Sequence, residues 1–591
     1  GVMMTLMSQE QHLLLRGRGM ECIGILSVAA GKEVFAAHVP ELVKLALRGV
    51  ELAGQAMDQA EKEIPSKKDE MVAHSSELKE LTWAFFQNIA SCLKEDFAPF
   101  LDQIVPLLLK TTVSKEGYKA KLEAGVPSGL SVDEESLAGV CVRESFMEEK
   151  NAAVDALGGI ASHCGGCFVK FLKPTHSALS TLLSNFSEKL RRSVFTALKE
   201  LVLCAFLSSP PQAVPNALPG RLWASEQGPP LSENFAQFLG LILPFHINVL
   251  ANDNSGDVVE GCLEALTGMI KVVGPTLLDE DNYKALAGSL MMLLDKNAQC
   301  QAKIKELGAD DDRFESVRIF DAVIDCVGEV ALSKGQGALH FLIESVNKIR
   351  EYAKPAMVPG FRLIAVGSIG ELAKHVPNSV KPDDELINIV VDCVTFKGKS
   401  SEEAEVRRNA IYTLGVLCEM YYGPYANKIS HAVKLLGQAA TEDPTEGIQD
   451  NIAGVMGRFI ILALNGVVPD SDSWLSYGVE LMFQNLPLKE DKEPSVSILR
   501  SLFTIFQKKP DLLNNFLPQT LLALCDALHE SNVCLEEATP TSPPSWSLPD
   551  DAIQQATHLM REIAKINGNA VKQAMENATE EQQQVCAKVL G

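Results

Sequence analysis

The residues best suited to chemistry in this chain are carboxylates and amides that recur at matching positions. Asn409 and Asn451 occupy equivalent positions 42 residues apart. Each lies close in sequence to a carboxylate, Glu405 or Asp450. An asparagine can bond the backbone of an extended peptide through both its donor and its acceptor, and carboxylates pair with lysine or arginine. The pattern predicts noncovalent capture of a basic segment. The alternative, that these are ordinary solvated helix positions, stays open at this stage.

Two short motifs suggest other chemistry but lack essential parts. The Gly-Lys-Ser run at 398–400 resembles the end of a phosphate-binding loop, yet Cys393 stands where the first glycine is required and no predicted strand precedes it. Cys164 and Cys167, with His163 beside them, have no second ligand pair at zinc spacing, so a turn between helices is the better interpretation. The sequence therefore predicts no enzyme, metal site or cofactor.

A long amphipathic helix within 400–425 must position the first of these side chains. Spacings of four, four and three residues place its apolar side chains on one buried face. These residues are Val406, Ala410, Leu414 and Leu417. Gly415 costs roughly 1 kcal/mol against alanine in a helix interior, which indicates that another helix packs very close to it.

The same pairing of an anchor with a glycine nine residues later recurs along the chain. The further pairs are Leu15 with Gly24, Glu149 with Gly158, Val259 with Gly268, Ile319 with Gly328, Phe361 with Gly370, and Ile448 with Gly457. The last four anchors are 42, 45 and 42 residues apart. A period of about 40 to 47 residues with two helices per period is typical of HEAT or armadillo arrays. We therefore predict an all-α fold, a HEAT-repeat superhelical solenoid.

Breaks in the helical pattern divide the array. The predicted segments are repeats at 1–114, an inter-repeat insertion loop at 115–140, repeats at 141–207, a flexible Pro-rich surface loop at 208–230, repeats at 231–535 that form the main binding region, a Pro/Ser-rich loop at 536–551, and capping helices at 552–591. The chain starts almost directly in a helical pattern without a polar capping repeat. We therefore expect an array truncated at its N-terminus.

Composition narrows the class of partner. The net charge of −23 over 591 residues favours basic partners and disfavours nucleic acid, although solubility alone is an equal explanation. The 14 cysteines lie mostly on apolar helix faces, as expected for reduced thiols in the cytosol or nucleus. No signal peptide and no uncharged apolar run long enough to span a membrane is recognised.

Helix phase assigns the polar side chains to one surface. With the apolar face of 400–425 buried, Glu405 and Tyr412 point away from the core, and Asn409 lies on the flank. The second helix of each repeat lines the concave side of a HEAT solenoid. The equivalent positions in other repeats are Asp325, Glu329, Glu371, Asp450 and Asn451. These residues are expected to share a concave, acidic wall.

Three segments resemble the C-terminal half of importin-β (karyopherin-β) family receptors: EVRRNAIYTLGVLC at 405–418, DNIAGVMG at 450–457 and LPLKEDKE at 486–493. The resemblance implies a monomeric receptor that shuttles between cytoplasm and nucleus and carries core histones, held by their lysine-rich tails, and ribosomal proteins. It also implies Ran-GTP binding through N-terminal repeats absent here, contacts with nucleoporins, and no direct binding to nucleic acid or membrane.

The resemblance also places a lysine pocket around Glu371, Tyr412, Asn451, Glu490 and Asp491, with Trp474 as an aromatic wall. The remaining candidate cargo-binding residues are Asp325, Glu329, Glu405, Asn409, Asp450 and Glu493. An alternative function is a non-transport HEAT scaffold, such as a phosphatase or chromatin-complex subunit, which would bind folded partners through its loops and convex face.

Overall fold

The computed structural model describes residues 2–115, 118–120, 140–142, 144–302, 311–397, 400–442, 445–539, 541–544 and 546–591. The chain forms two compact units. The first comprises 1–212, 230–269 and 298–303, and the second comprises 213–229, 270–297 and 304–591. Both consist almost entirely of helices, which confirms the all-α prediction.

The first unit contains α1 (Val2–Met7), α2 (Leu13–Ala30), α3 (Lys32–Phe35), α4 (Val39–Ala60), α5 (Pro65–Leu93), α6 (Leu101–Val113), α7 (Glu144–Cys164), α8 (Leu172–Ser180), α9 (Glu188–Leu207) and α10 (Glu233–Asn252). The α11 helix (Gly256–Val273) crosses the boundary in sequence. The ends of the predicted insertion form a short antiparallel pair, β1 (Tyr118–Ala120) and β2 (Val140–Val142), while 121–139 lie outside the described residues.

The second unit continues with α12 (Glu280–Leu294), α13 (Asp311–Lys334), α14 (Leu339–Tyr352), α15 (Pro359–His375), α16 (Asp384–Val394), α17 (Ser401–Met420), α18 (Tyr422–Tyr425), α19 (Ile429–Glu442), α20 (Glu446–Leu464), α21 (Leu475–Gln484), α22 (Ser495–Lys508), α23 (Leu517–Glu536), α24 (Asp550–Ile566), α25 (Gly568–Glu576) and α26 (Glu580–Leu590). Short 3₁₀ turns connect several of them, including Gly274–Leu277, Gly335–Ala338 and Ser471–Ser473.

The inner helices of the second unit stack in register. Helix α15 packs on α17, α17 on α20, and α20 on α22. A Cβ on Gly415 would lie 2.6 Å from Cγ2 of Val455, and one on Gly457 would lie 2.9 Å from the carbonyl oxygen of Ser497. The close helix approach predicted for Gly415 is thus confirmed.

Capping explains where α17 begins. The Ser400 hydroxyl accepts a hydrogen bond from the Glu403 N–H (3.3 Å), and the Glu403 carboxylate accepts one from the Ser400 N–H (2.8 Å). This reciprocal pair satisfies two donors that a helix start leaves without partners. The Gly398 and Lys399 of the phosphate-loop motif lie outside the described residues.

The Cys164 motif lies at a turn, as predicted. Helix α7 ends at Cys164, and Gly165, with φ +49°, begins the 3₁₀ turn Gly165–Phe171. Burial raises the pKa of the Cys164 thiol to about 12. The motif therefore shapes a connection between helices and does not expose a thiolate.

Judged by length and composition alone, three helical stretches of the described chain could cross a membrane, although no such span was predicted from the sequence. They are 144–180, α10 and α20. In α20, 78% of that apolar stretch is buried inside the fold. The apolar composition of α20 is therefore used for packing between α17 and α22.

Residues 208–230 form no helix, in line with the predicted loop, but the part in the second unit does not lie wholly at the surface. Trp223 is fully buried, and its Nε1 donates to the Lys271 carbonyl at 3.0 Å. A proline-rich sequence disfavours regular secondary structure, but it does not prevent a segment from folding against the helices beside it.

Candidate peptide-binding groove

A cavity of about 600 Å³ runs across four successive inner elements of the second unit. Its lining comes from α13, α15, α17, Asn451 of α20 and the segment 491–493 that follows α21. We call this cavity the inner groove. A Cβ on Gly328 would meet no described atom within 4 Å, so this glycine faces the open groove. By contrast, Gly370, Gly415 and Gly457, the equivalent glycines of later repeats, are covered by a neighbouring helix.

The inner groove contains nine of the twelve candidate residues. They are Asp325, Glu329, Glu371, Glu405, Asn409, Tyr412, Asn451, Asp491 and Glu493. Tyr412, Asn451 and Asp491 come from three different elements yet line one cavity. Helix phase placed Tyr412 and Asn451 on this surface, and the family resemblance placed Asp491 beside them.

Carboxylates dominate the lining. Seven come from Asp321, Asp325, Glu329, Glu371, Glu405, Asp491 and Glu493, against one guanidinium, Arg408, and one imidazole, His375. Lys374 and Arg221 each pair with one of these carboxylates. Because the carboxylates still outnumber the cations, the groove keeps an electrostatic preference for positive charge.

A compact network surrounds Glu371. It accepts a hydrogen bond from the Tyr412 hydroxyl, and His375 Nε2 lies 3.2 Å from its other oxygen. Burial alone would raise the pKa of Glu371, but the bonds to His375 and Tyr412 and the charge of Lys374 outweigh it and lower the pKa to about 2. Burial and the Glu371 charge raise the pKa of Tyr412. Glu371 therefore stays ionised and Tyr412 stays protonated at any physiological pH.

Arg408 connects the carboxylates of the next repeats loosely. Its guanidinium lies 3.4 Å from Glu405, 3.8 Å from Asp491 and 4.0 Å from Glu490. The two longer separations exceed hydrogen-bond length, so these pairs are held by charge alone. Such contacts leave the carboxylates able to accept a closer donor.

The two asparagines brace the backbone. Asn409 donates to the Leu363 carbonyl at 2.9 Å, across to the preceding inner helix. Asn451 donates to the Gly447 carbonyl at 3.0 Å and to Asp491 at 3.3 Å. Part of the hydrogen-bonding capacity assigned to peptide recognition is thus used within the protein, which fixes the orientation of both amides.

The prediction that Asp450 lies on the open face is wrong. Its side chain is 1% exposed, and it accepts backbone N–H groups from Lys489, Glu490 and Asp491 at 2.7–3.1 Å. Three converging amides form a concave nest that suits an anion. Asp450 therefore supports the segment that carries Asp491, and it is not exposed to a ligand in the groove.

Two further assignments need correction. Trp474 is 6% exposed, does not line the inner groove, and donates from Nε1 to the Ser430 hydroxyl at 3.1 Å, so it is a packing residue and not an aromatic wall. Glu490 lines a neighbouring cavity together with Arg407 and Ala439, while its neighbour Asp491 faces the inner groove. Both residues lie in a non-helical segment, and the family resemblance that placed them in one pocket does not define the direction of each side chain.

Sequence reasoning missed the cations that hold the carboxylates. Lys374 pairs with Glu493, and its ammonium lies 5.9 Å from the centre of the Tyr412 ring, the place proposed for a ligand lysine. Arg221 pairs with Glu329, 108 residues away in the chain. Arg408 was recognisable from its position one turn after Glu405, whereas no local signal connects residues as distant as Arg221 and Glu329.

Comparison with known proteins gives sequence relatives and structural neighbours, although no family model matches. The chain is 24% identical over 528 residues to the probable importin subunit beta-4 of Schizosaccharomyces pombe, covering 85% of this chain and 46% of the relative. It is 23% identical over 484 residues to human importin-4, covering 77% and 42%. The chain thus spans less than half the length of these relatives.

The structural match extends over nearly the whole chain. The karyopherin Kap121p bound to the SUMO protease Ulp1p aligns with a TM-score of 0.67 and 16% identity, covering 99% of this chain and 49% of that one. Kap121p bound to RanGTP aligns with a TM-score of 0.62 and 17% identity, covering 99% and 50%. The shared fold is the HEAT-repeat solenoid predicted from the period. The chain therefore has the fold of the karyopherin Kap121p and is similar in sequence to importins of the importin-β family.

Proposed function

We propose that this chain is the cargo-binding half of a nuclear import receptor that shuttles between cytoplasm and nucleus. Its cargo is a basic, lysine-rich localisation segment of the kind found in core histones and ribosomal proteins, held in the inner groove. The single observation that carries the proposal is the lining itself, in which seven carboxylates and two asparagines from successive repeats face one cavity. The family relationship supports the same function.

Binding proceeds by exchange of ion pairs. A lysine ammonium that reaches Asp491 at hydrogen-bond distance makes a shorter contact than Arg408, which stands 3.8 Å from it. The aliphatic part of the lysine side chain packs against groove walls such as Leu363 and Ile364. Asn409 is half-buried and presents its remaining polar atoms to the cargo backbone, whereas Asn451 is buried and orients Asp491 through its amide.

Partners other than cargo are proposed for the present chain from the partners of similar proteins. Structures of Kap121p are known with RanGTP and with Nup53p. We expect Ran-GTP to act through repeats that precede this segment and nucleoporins to bind elsewhere on the surface. Cargo recognition is the part of the cycle that the described groove supports.

The test is the affinity of a fluorescent lysine-rich peptide, measured by anisotropy. The double variant Glu371→Gln, Asp491→Asn removes two groove charges with little change of shape. These carboxylates are 46% and 24% exposed, so solvent screening limits the loss to about tenfold in Kd, or about 1.4 kcal/mol. The matched control Glu344→Gln, Glu351→Gln removes the same charge from α14 at positions that do not line the groove.

The proposal predicts that only the groove variant weakens binding and that affinity falls as ionic strength rises, because these pairs are partly exposed. Equal effects of both double variants would show a nonspecific charge effect and overturn it. Cross-linking then separates the two function classes. Adducts on α15, α17 and 491–493 favour the import receptor, and adducts on outer helices favour the scaffold alternative.

A further inference from the structure

Residues 213–229, which we call the strap, form an ordered segment of the second unit. The Val214 N–H donates to the Leu222 carbonyl at 3.0 Å, and the Leu218 N–H donates to the Trp223 carbonyl at 3.0 Å. Ala224 and Gln227 exchange a pair of backbone bonds at 2.9 and 3.0 Å. The strap therefore has internal structure of its own.

Two contacts fix the base of the strap. Trp223 is fully buried, and it lies so close to Gly274 that a Cβ there would be 2.3 Å from the indole. The Glu226 N–H donates to the Ser333 carbonyl at 2.7 Å, and its carboxylate accepts the Gln336 N–H at 2.5 Å. These bonds hold the base of the strap at the C-terminal end of α13.

The tip of the strap reaches a distant part of the same unit. A Cβ on Gly220, whose φ is +68°, would lie 2.6 Å from Pro544 and 3.0 Å from Pro543. These prolines follow α23, four helix pairs beyond α13 and α14. The strap thus connects the repeat that begins the inner groove to a segment beyond the repeat that ends it.

Arg221 is placed on a groove carboxylate. Its Nη1 lies 2.7 Å from one oxygen of Glu329 and its Nη2 lies 3.1 Å from the other. The two side chains are 10% and 13% exposed, and the guanidinium lies 4.6 Å from the centre of the Trp223 ring. A bidentate pair of this kind, stacked on an aromatic face, is among the stronger contacts an arginine makes.

We propose that the strap is an internal competitor of the cargo, with Arg221 occupying Glu329 in place of a cargo lysine or arginine. The inference depends on the proposed function of the groove. Both oxygens of Glu329 are engaged and its side chain is 13% exposed, so a basic ligand forms its own two-bond pair with this carboxylate only when Arg221 leaves. The strap then sets a minimum binding strength for cargo. A strongly basic segment displaces Arg221 from Glu329, and a weakly basic segment does not.

The first test is the Kd of the lysine-rich peptide for Arg221→Gln. If Arg221 occupies Glu329 about nine-tenths of the time, its removal tightens binding about tenfold, since apparent affinity scales with the fraction of competent sites. Arg500→Gln is the matched control, because Arg500 pairs with Asp551 at 3.0 Å and neither residue lines the groove. Both variants lose one positive charge, so tighter binding by R221Q alone supports the inference.

The second test is Glu329→Gln in two backgrounds. It should weaken peptide binding more in R221Q, where Glu329 is open to the peptide, than in the parent chain, where Arg221 already pairs with it. Hydrogen exchange gives an independent readout. Saturating peptide should speed exchange of the Val214 and Leu218 amides as the strap is displaced.

Each remaining outcome is decisive. Unchanged or weaker peptide binding by R221Q, with the groove variants still impaired, overturns the strap inference and leaves the proposed function intact. Unchanged exchange at 213–229 under saturating peptide also overturns it. A peptide that binds neither the parent chain nor R221Q overturns the proposed function, and the strap inference with it.

Discussion

Replacing Asp450 by alanine distinguishes a supporting residue from a ligand-binding one. In the structure this carboxylate receives the N–H groups of Lys489, Glu490 and Asp491 and is almost completely buried. Asp450→Ala leaves three donors without their acceptor. At about 1 kcal/mol for each hydrogen bond lost, the second unit should lose about 3 kcal/mol of stability.

The assay is hydrogen exchange together with thermal unfolding. Exchange should accelerate at 489–491, and the unfolding midpoint should fall by several degrees, since a large unit shifts by about 2–4 °C for each kcal/mol. Asp450→Asn is the matched control. It keeps the shape and one acceptor oxygen, and all three N–H groups reach a single oxygen of Asp450, so both effects should be much smaller than for alanine.

Peptide affinity completes the comparison. Asp491→Asn should weaken peptide binding and change the unfolding midpoint little, because Asp491 lines the groove and is partly exposed. Asp450→Ala should lower stability first and affect binding only through the displaced segment. If Asp450→Ala left exchange at 489–491 and the unfolding midpoint unchanged while peptide affinity fell, the supporting role assigned to Asp450 would be refuted.

Two further predictions concern packing and pH. Gly415→Ala should destabilise the second unit by about 1–2 kcal/mol, because its Cβ would clash with Val455. Gly328→Ala should stabilise the unit by up to about 1 kcal/mol, because its Cβ meets open space. Equal shifts in the unfolding midpoint of the two variants would contradict this reasoning. His246 is fully buried, its Nε2 has no hydrogen-bond partner among the described residues, and burial lowers its pKa to about 4. The unfolded chain therefore takes up this proton at a higher pH than the folded chain, so the free energy of unfolding should fall as pH drops from about 6.5 to 4. His246→Phe should reduce this loss of stability. If the free energy of unfolding of the variant fell with pH as steeply as that of the parent chain, the assignment to His246 would be refuted.

The parts of the fold that depend on local pattern were predictable. The anchor and glycine spacing identified the inner helices because an amphipathic face repeats every 3.6 residues and a glycine is kept where a neighbouring backbone lies close. The same phase brought Glu371, Tyr412 and Asn451 to one cavity. Helix periodicity is a local property, so the sequence alone is enough to predict which side chains share a helix face.

The failures have a common physical cause. Helix phase assigned Asp450 to the open face and the family resemblance assigned Trp474 to the pocket, but burial depends on segments that pack over a residue, such as 489–491 at Asp450. Glu490 and Asp491 lie in a non-helical segment after α21, where a helical phase has no meaning. The strap lacks any periodicity, and its fold depends on contacts with residues far away in the chain, such as Glu329 and Pro544.

The internal cations change how the inner groove must be understood. A groove of unpaired carboxylates would hold every basic chain tightly and release none readily. Here Lys374, Arg408 and Arg221 each pair with a groove carboxylate, so the binding proposed above would replace existing ion pairs and gain only the difference. Because such a difference is small for each lysine, useful affinity requires several lysines at the spacing of successive repeats. Specificity for an extended basic segment over a single exposed lysine follows from that requirement.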